Sequence, residues 1–167
     1  MNLPALAAQA IIESPLGPLL LGATHRGLST LWFVDPAHHA VDQVDAPEDP
    51  QQRFIAQAID ELEAYWAGHC PTRFRVPLDL HGTAFQRAVW RELIDVPPGR
   101  TSTYGDIARL VGAPPAARAA GAAIGRNPVA IIVPCHRIIG RDGSLTGFAG
   151  GLPRKERLLQ HEGALLV

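Results

Sequence analysis

The first third of the chain alternates short apolar segments with turn residues. Apolar stretches cover Ala8 to Ile12, Leu19 to Ala23 and Leu28 to Val34, and they are separated by Ser14-Pro15-Leu16-Gly17-Pro18 and His25-Arg26-Gly27. Short apolar runs bounded by proline, glycine and serine are typical of strands joined by tight turns. The pattern therefore predicts a small antiparallel meander.

The rest of the first half predicts a helix and an edge strand. Asp49 is a suitable N-cap, Pro50 a suitable first helical residue, and Gly68 a suitable stop. One face of that helix is apolar and consists of Phe54, Ile55, Ala58, Ile59, Leu62 and Tyr65. The edge strand is predicted from alternating apolar residues, Phe74, Val76, Leu78 and Leu80. Residues 1–82 are thus expected to form an α/β scaffold domain with an antiparallel sheet.

Residues 83–167 are expected to form a second, mainly helical domain. Thr83 with Gln86, and Thr103 with Asp106, have the spacing of a capping box, so each pair predicts the start of a helix. The first helix is expected to end before Pro97 and to bury one stripe, Phe85, Ala88, Val89 and Leu93.

Two short helices follow each other closely in this second domain. The helix that starts at Thr103 is predicted to end at Gly112, and the next to begin with Pro115 and continue to about Gly125. This arrangement predicts a helix-turn-helix, although such helices also occur as plain packing elements. Small residues make up most of the second helix, and Arg118 is rotated away from its alanine stripe. That composition fits either close packing against another helix or an outer face lying flat on a DNA groove.

A cysteine and a histidine follow an apolar run near the end of the chain. The run Ile131-Ile132-Val133, stopped by Pro134, predicts a buried strand with Cys135 at its end, facing a cleft. Cysteine attacks as its thiolate, so a cation, a histidine or a helix N-terminus must lower the pKa of the thiol, and His136 and Arg137 are candidates. Adjacent strand residues point to opposite faces, so a Cys-His pair requires a bend or a bridging water. Cys135 is the candidate nucleophile.

Composition limits the class of protein. The 167 residues are 47% hydrophobic, as expected for a folded globular protein. The apolar first residues lack the basic flank of a signal peptide, and no apolar run is long enough to cross a bilayer, so we expect a cytoplasmic protein without membrane contact. Two cysteines, Cys70 and Cys135, are too few for a disulfide framework. No metal is expected, because four of the histidines are scattered without a zinc-ligand spacing, His38, His39, His69 and His81.

Charge is unevenly divided between the two halves. Residues 1–82 contain 4 Arg and 10 Asp or Glu, a net charge of −6, whereas residues 83–167 contain 11 Lys or Arg and 6 Asp or Glu, a net charge of +5. The basic half also holds Cys135. This distribution is expected of a protein that binds a polyanion.

Pro134-Cys135-His136-Arg137 resembles the active-site signature of the O6-alkylguanine-DNA alkyltransferases. The resemblance extends from about Thr83 to Gly163, and before it only the turn Ser14-Pro15-Leu16-Gly17 is similar. Four more segments stand in the family's order and at about its spacing, Arg118-Ala119-Ala120-Gly121, Gly125-Arg126-Asn127-Pro128-Val129, Gly147-Phe148-Ala149-Gly150-Gly151 and His161-Glu162-Gly163. The paired N-terminal cysteines through which some relatives bind zinc are absent.

The resemblance implies a reaction and a partner. It implies direct-reversal DNA repair, in which the alkyl group of O6-alkylguanine, and also of O4-alkylthymine, passes irreversibly to Cys135 in a single turnover without a cofactor. His136 is implied as the base, acting through a bridging water, and Glu162 as the group that orients its imidazole. The second domain is implied to be winged-helix-like and to bind duplex DNA as a monomer.

The same resemblance implies how DNA is held. The second helix of the helix-turn-helix is expected to enter the minor groove through Arg118, Ala119 and Gly121, with Arg118 filling the gap that the flipped-out nucleotide leaves.

Four further residues are implied in and near the pocket for the flipped base. Tyr104 is expected to donate a hydrogen bond to the base, backbone groups near Ala149 to read its edge, and Phe148 to close over the pocket. Asn127 is expected to pin the turn between the DNA-binding helix and Cys135.

Three alternative functions remain open. A non-catalytic relative that only binds alkyl lesions would share Arg118, but that group usually has tryptophan in place of the nucleophile. A cysteine hydrolase would use Cys135 and His136 with repeated turnover. A DNA-binding regulator would need neither residue.

Overall fold

The computed structural model describes residues 4–35 and 44–165, and these divide into two compact units. The first unit contains the described residues up to His81 together with Pro128–Ala130. The second contains Gly82–Asn127 and the described residues from Ile131 onward. Two of the histidines considered above, His38 and His39, lie outside the described residues.

The first unit is built on the predicted antiparallel meander, which is confirmed. Strands β1 (Ala8–Ile12), β2 (Leu19–Ala23) and β3 (Leu28–Phe33) pair in the order β1-β2-β3. Helix α1 (Arg53–Trp66) follows. Its buried residues are those that the apolar spacing predicted, except that Ile59 is only half-buried: Phe54, Ile55, Ala58, Leu62 and Tyr65. The helix ends before Gly68, which has a φ of 94° that favours glycine.

Two predictions for this unit are wrong. Helix α1 begins at Arg53 rather than at Pro50, because the side chain of Gln52 accepts hydrogen bonds from the first free backbone N–H groups, while Asp49 caps only the N–H of Gln51. The edge strand around Leu78 is reduced to a single bridge with Leu28. Pro77 lies within this segment and has no N–H to donate, so a ladder cannot continue through it.

The second unit is mainly helical, and together the two units confirm the predicted fold class. It contains α2 (Ala84–Ile94), α3 (Tyr104–Leu110), α4 (Ala117–Gly125) and α5 (Leu152–His161). Two short strands, β4 (Ser102–Thr103) and β5 (Ile138–Ile139), pair in parallel. The elements thus place a helix-turn-helix, α3 to α4, in the same unit as Cys135.

Capping signals located the starts of α2 and α3, whereas α4 begins at Ala117, after a 3-10 turn over Pro114–Ala116, rather than at Pro115. Both capping boxes are present, Thr83 with Gln86 at α2 and Thr103 with Asp106 at α3. The buried stripe of α2 differs in part, because its fully buried residues are Val89, Trp90 and Leu93, whereas Phe85 and Ala88 are only half-buried. The indole of Trp90 donates a 2.8 Å hydrogen bond to the backbone oxygen of Ala123 in α4. Because the only polar group of the indole has a hydrogen-bond partner, this large side chain can be buried.

The predicted strand before the cysteine is wrong. Val129 makes one isolated bridge with Leu31, and the chain then turns, with Ile131 at a φ of 69°. That left-handed conformation is costly for a β-branched residue and breaks any extended run. Ile131, Ile132 and Val133 are buried as predicted, but in a turn.

Candidate active site

Cys135 begins a tight turn instead of ending a strand. Residues Cys135–Arg137 form one turn of 3-10 helix, and the N–H of Arg137 donates to the oxygen of Pro134 at 3.0 Å. The turn supplies the bend that an adjacent Cys-His pair requires. The thiol is almost enclosed, since Cys135 is 8% exposed.

His136 is paired with the carboxylate at the end of α5. Its Nε2 lies 2.8 Å from Oε1 of Glu162, and both side chains are fully buried. Because an ionised carboxylate only accepts hydrogen bonds, Nε2 carries the proton and Nδ1 has the free lone pair. Among the described residues, Nδ1 has no hydrogen-bond partner. The pair has the geometry of a base and its orienting group.

The same carboxylate is bound by Arg137, whose role the sequence did not indicate. The guanidinium donates from Nε to Oε2 and from Nη2 to Oε1 of Glu162, each at 2.8 Å. It also donates from Nη1 to the backbone oxygen of Val96, at 2.5 Å. The sequence suggests Arg137 as a cation for the thiolate, but the structure pairs it with Glu162 instead. Its position next to His136 in the motif was the only signal.

Burial and charge set the protonation of the three groups. Burial raises the pKa of the Cys135 thiol, although a hydrogen bond with the Asn127 side chain and the charge of Lys155 act in the opposite direction. Burial lowers the pKa of His136, because it disfavours the charged imidazolium, and Glu162 acts in the opposite direction. Burial by itself would raise the pKa of Glu162, but hydrogen bonds from Arg137 and His136 outweigh it and lower the pKa to about 2. The resting site therefore holds a thiol, a neutral imidazole and a carboxylate.

Tyr104 is joined to a buried lysine through one carbonyl. The phenol of Tyr104 donates to the backbone oxygen of Thr146 at 2.9 Å, and Nζ of Lys155 donates to the same oxygen at 2.6 Å. Lys155 also donates to the oxygen of Ile138, at 2.5 Å. Burial lowers the pKa of Lys155 to about 8, and a negative charge on Cys135 acts in the opposite direction.

Sequence reasoning missed Lys155, and its spacing was a usable signal. Lys155 lies three and four residues before the buried Leu158 and Leu159, so all three residues share the inward face of α5.

Asn127 holds the turn before Cys135. Its Nδ2 donates to the backbone oxygen of Val133 at 2.7 Å. The residue lies between the end of α4 and the Cys135 turn, which is the place that the sequence predicted.

The helix with small side chains has an exposed side. Arg118 and Ala119 in α4 are exposed, and a Cβ added to Gly121 would lie 3.5 Å from the ring of Tyr104. A cleft of about 610 Å³ beside them is lined in part by Tyr104, Ala117 and Arg141. Small residues thus bring the backbone of α4 close to Tyr104.

The remaining predicted pocket residues lie in the loop before α5. Phe148 is half-buried and Ala149 is exposed. Gly147 adopts a φ of 47°, and a Cβ added there would lie 3.6 Å from the hydroxyl of Tyr104. The loop therefore passes directly beside Tyr104.

Comparison with known proteins identifies the family. The sequence model described as 6-O-methylguanine DNA methyltransferase, DNA binding domain, matches residues 84–164, and the one described as its ribonuclease-like domain matches residues 8–80. The chain belongs to the 6-O-methylguanine DNA methyltransferase family. The family resemblance read from Pro134-Cys135-His136-Arg137 is thereby confirmed, and it extends over the first half as well.

Individual members of the family are similar over nearly their whole length. The methylated-DNA–protein-cysteine methyltransferase of Mycobacterium leprae is 48% identical over 151 residues, which are 90% of this chain and 89% of the relative. That of Methanosarcina acetivorans is 46% identical and covers 93% and 97% of the two chains. The crystal structure of Mycobacterium tuberculosis OGT in complex with DNA matches with a TM-score of 0.84 and 46% identity, over 95% of this chain and 94% of that one.

The described residues contain neither a group of metal ligands nor a membrane-spanning helix. Within residues 4–35 and 44–165, no three His, Cys, Asp or Glu side chains are grouped so that they could hold a metal ion. No helix in the same ranges is long and apolar enough to cross a membrane.

Proposed function

We propose that this protein repairs DNA by direct reversal, moving the alkyl group of O6-alkylguanine to Sγ of Cys135. The observation that carries the proposal is the buried turn in which Cys135 is followed by His136, hydrogen-bonded at 2.8 Å to Glu162, in a member of this family. The relatives named above are methylated-DNA–protein-cysteine methyltransferases, which supports the same reaction.

In the proposed reaction, the thiol loses its proton as it attacks. His136 accepts that proton at Nδ1 through a bridging water, and Glu162 stabilises the imidazolium that forms. A bond forms between Sγ of Cys135 and the alkyl carbon, and the bond from that carbon to O6 breaks with its electron pair staying on guanine. The leaving base gains a proton, and the hydroxyl of Tyr104, which donates to the backbone oxygen of Thr146 in this structure, is proposed to donate to the base instead. Because burial raises the pKa of the Cys135 thiol, the removal of its proton is a necessary part of the reaction.

The product dictates a single turnover. S-alkylcysteine contains no activated carbonyl that water could attack, so Cys135 stays alkylated and each molecule acts once. No step of this reaction requires a cofactor.

The proposed substrate is a duplex whose damaged nucleotide is flipped out. The exposed side of α4, with Arg118, Ala119 and Gly121, is proposed to enter the minor groove, and Arg118 to occupy the gap in the stack. The flipped base is proposed to bind beside Tyr104, with Phe148 and Ala149 from the adjoining loop.

The proposal also includes the roles of the two domains, the oligomeric state, the location and a second substrate. Residues 83–167 are proposed as the DNA-binding and alkyltransferase domain and residues 1–82 as its scaffold. We also propose that the protein acts as a monomer in the cytoplasm and accepts O4-alkylthymine as a second substrate.

Intact-protein mass spectrometry tests the reaction. The protein is incubated with duplex DNA containing O6-methylguanine and with the unmodified duplex. We expect a gain of one methyl group, only with the lesion and only once per molecule. Cys135→Ala should gain nothing while still binding the lesion, and the matched control Cys70→Ala should react like the wild type. Methylation of Cys135→Ala, or lesion binding without any transfer by the wild type, would instead indicate another nucleophile or a non-catalytic binding protein. Repeated turnover would indicate a hydrolase.

A further inference from the structure

Arg137 makes more contacts with the site than a packing role needs. All three of its outer nitrogens are used, two on the carboxylate of Glu162 and one on the backbone oxygen of Val96 after α2. Its side chain is only 3% exposed. The guanidinium therefore connects the Cys135 turn with the ends of α2 and α5, and it does so through the carboxylate that also binds His136.

The charge of Arg137 has a chemical consequence for His136. A buried carboxylate with an imidazole as its only partner favours the imidazolium, because the opposite charges stabilise each other. An imidazolium cannot accept the proton of Cys135. The guanidinium stays charged at every relevant pH and already neutralises Glu162, so it acts together with burial to keep His136 neutral.

The planar guanidinium of Arg137 also fixes the orientation of the Glu162 carboxylate. Two parallel N–H donors occupy both carboxylate oxygens and hold the carboxylate in one plane. Oε1 is then left in position to accept the hydrogen bond from Nε2 of His136, at 2.8 Å. A point-like ammonium could supply the charge but not this orientation.

We propose that Arg137 is a positioning residue for alkyl transfer, which keeps Glu162 ionised and oriented so that His136 stays neutral with Nδ1 free. The inference rests on the proposed function for the reaction that His136 serves. The protonation state of His136 can be measured without any substrate, and so independently of that reaction.

The other charged groups around His136 act on its protonation in opposite directions. Glu162 reaches it from the end of α5, and Lys155 acts on it from the same helix with a charge that also disfavours the imidazolium. Cys135 precedes it in the turn and is protonated at rest. Only Glu162 favours the imidazolium, so removing the charge of Arg137 should leave the attraction of Glu162 less opposed.

Imidazole nitrogen NMR and the pH profile of transfer test the proposal together. In the wild type, His136 should be neutral at pH 7, with the proton on Nε2. Arg137→Gln removes the charge, so His136 should titrate at higher pH and transfer to free O6-benzylguanine should fall about tenfold at pH 7 for each unit by which its pKa exceeds 7. Raising the pH should restore the rate. Arg137→Lys keeps the charge, so it should keep the wild-type pH midpoint but react more slowly at every pH.

The control is Arg157→Gln, which removes an exposed arginine from α5. It should leave the His136 titration and the rate unchanged. A folded Arg137→Gln with the wild-type titration and pH profile would overturn the proposal. If Arg137→Gln does not fold, the wild type and Arg137→Lys decide. An imidazolium at pH 7 in the wild type, or a wild-type rate of Arg137→Lys at every pH, contradicts the proposal, whereas a slower Arg137→Lys with the wild-type pH midpoint supports it. Failure of the proposed function would look different, because the wild type itself would then transfer no alkyl group.

Discussion

Glu162 should make the stability of this protein depend on pH in a defined acidic window. Its pKa is about 2 in the folded chain, against 4.5 for an unperturbed glutamate. A carboxyl whose folded pKa is lowered contributes stability above its unfolded pKa and loses that contribution as the pH falls through the folded value. The difference corresponds to about 3 kcal/mol at pH 7 and about 1 kcal/mol at pH 3.

Glu162→Gln isolates this contribution because glutamine has the shape of the protonated acid. At pH 7 the variant should be less stable by about 3 kcal/mol, since the buried Arg137 loses its counter-charge. As the pH falls toward 2, wild-type Glu162 becomes protonated and the two proteins should approach the same free energy of unfolding. Urea denaturation followed by tryptophan fluorescence, repeated from pH 7 to pH 3, measures the difference.

Glu156→Gln is the matched control, because Glu156 is an exposed residue of the same helix. Its free energy of unfolding should follow that of the wild type at every pH. A difference between the wild type and Glu162→Gln that stays constant from pH 7 to pH 3 would refute the reasoning, since it would mean that Glu162 does not titrate with a lowered pKa.

Three further predictions concern the proposed reaction. Arg118→Ala should slow repair of duplex DNA but leave the rate with free O6-benzylguanine nearly unchanged, because a free base needs no extrusion; equal losses on both substrates would mean that Arg118 serves the pocket. Lys155→Met should lower the melting temperature and move the pH midpoint of transfer upward, because the buried hydrogen bond to the oxygen of Ile138 is lost and the thiolate loses a nearby charge; an unchanged midpoint would exclude the electrostatic role. Methylation of Cys135 should reduce the free energy of unfolding by about 1–3 kcal/mol, because the enclosed thiol leaves little room for a methyl group; an equal or higher melting temperature of the methylated protein would contradict this.

Elements with local signals were predictable from the sequence. The capping boxes at Thr83 and Thr103 start helices wherever the following residues can bury one face, because both partners of the hydrogen bonds lie within one turn. The three-stranded meander followed in the same way from short apolar runs and their turns. The motif around Cys135 indicated the family because several residues with separate chemical roles stand together in order.

Contacts between distant parts of the chain decided the rest. Ile131-Ile132-Val133 has the composition of a strand, yet only Val129 before it finds a pairing partner, so the run is buried in a turn. Gln52 rather than Asp49 starts α1, because cap geometry depends on where the chain enters the helix. Arg137 and Lys155 look like surface residues in the sequence, since lysine and arginine are rarely buried without partners. Their partners, Glu162, Val96 and Thr146, are between 9 and 41 positions away. Residue type and spacing therefore determined which groups could react, whereas only the tertiary structure determined which charges compensate each other, because burial and pairing depend on neighbours that are distant in the sequence.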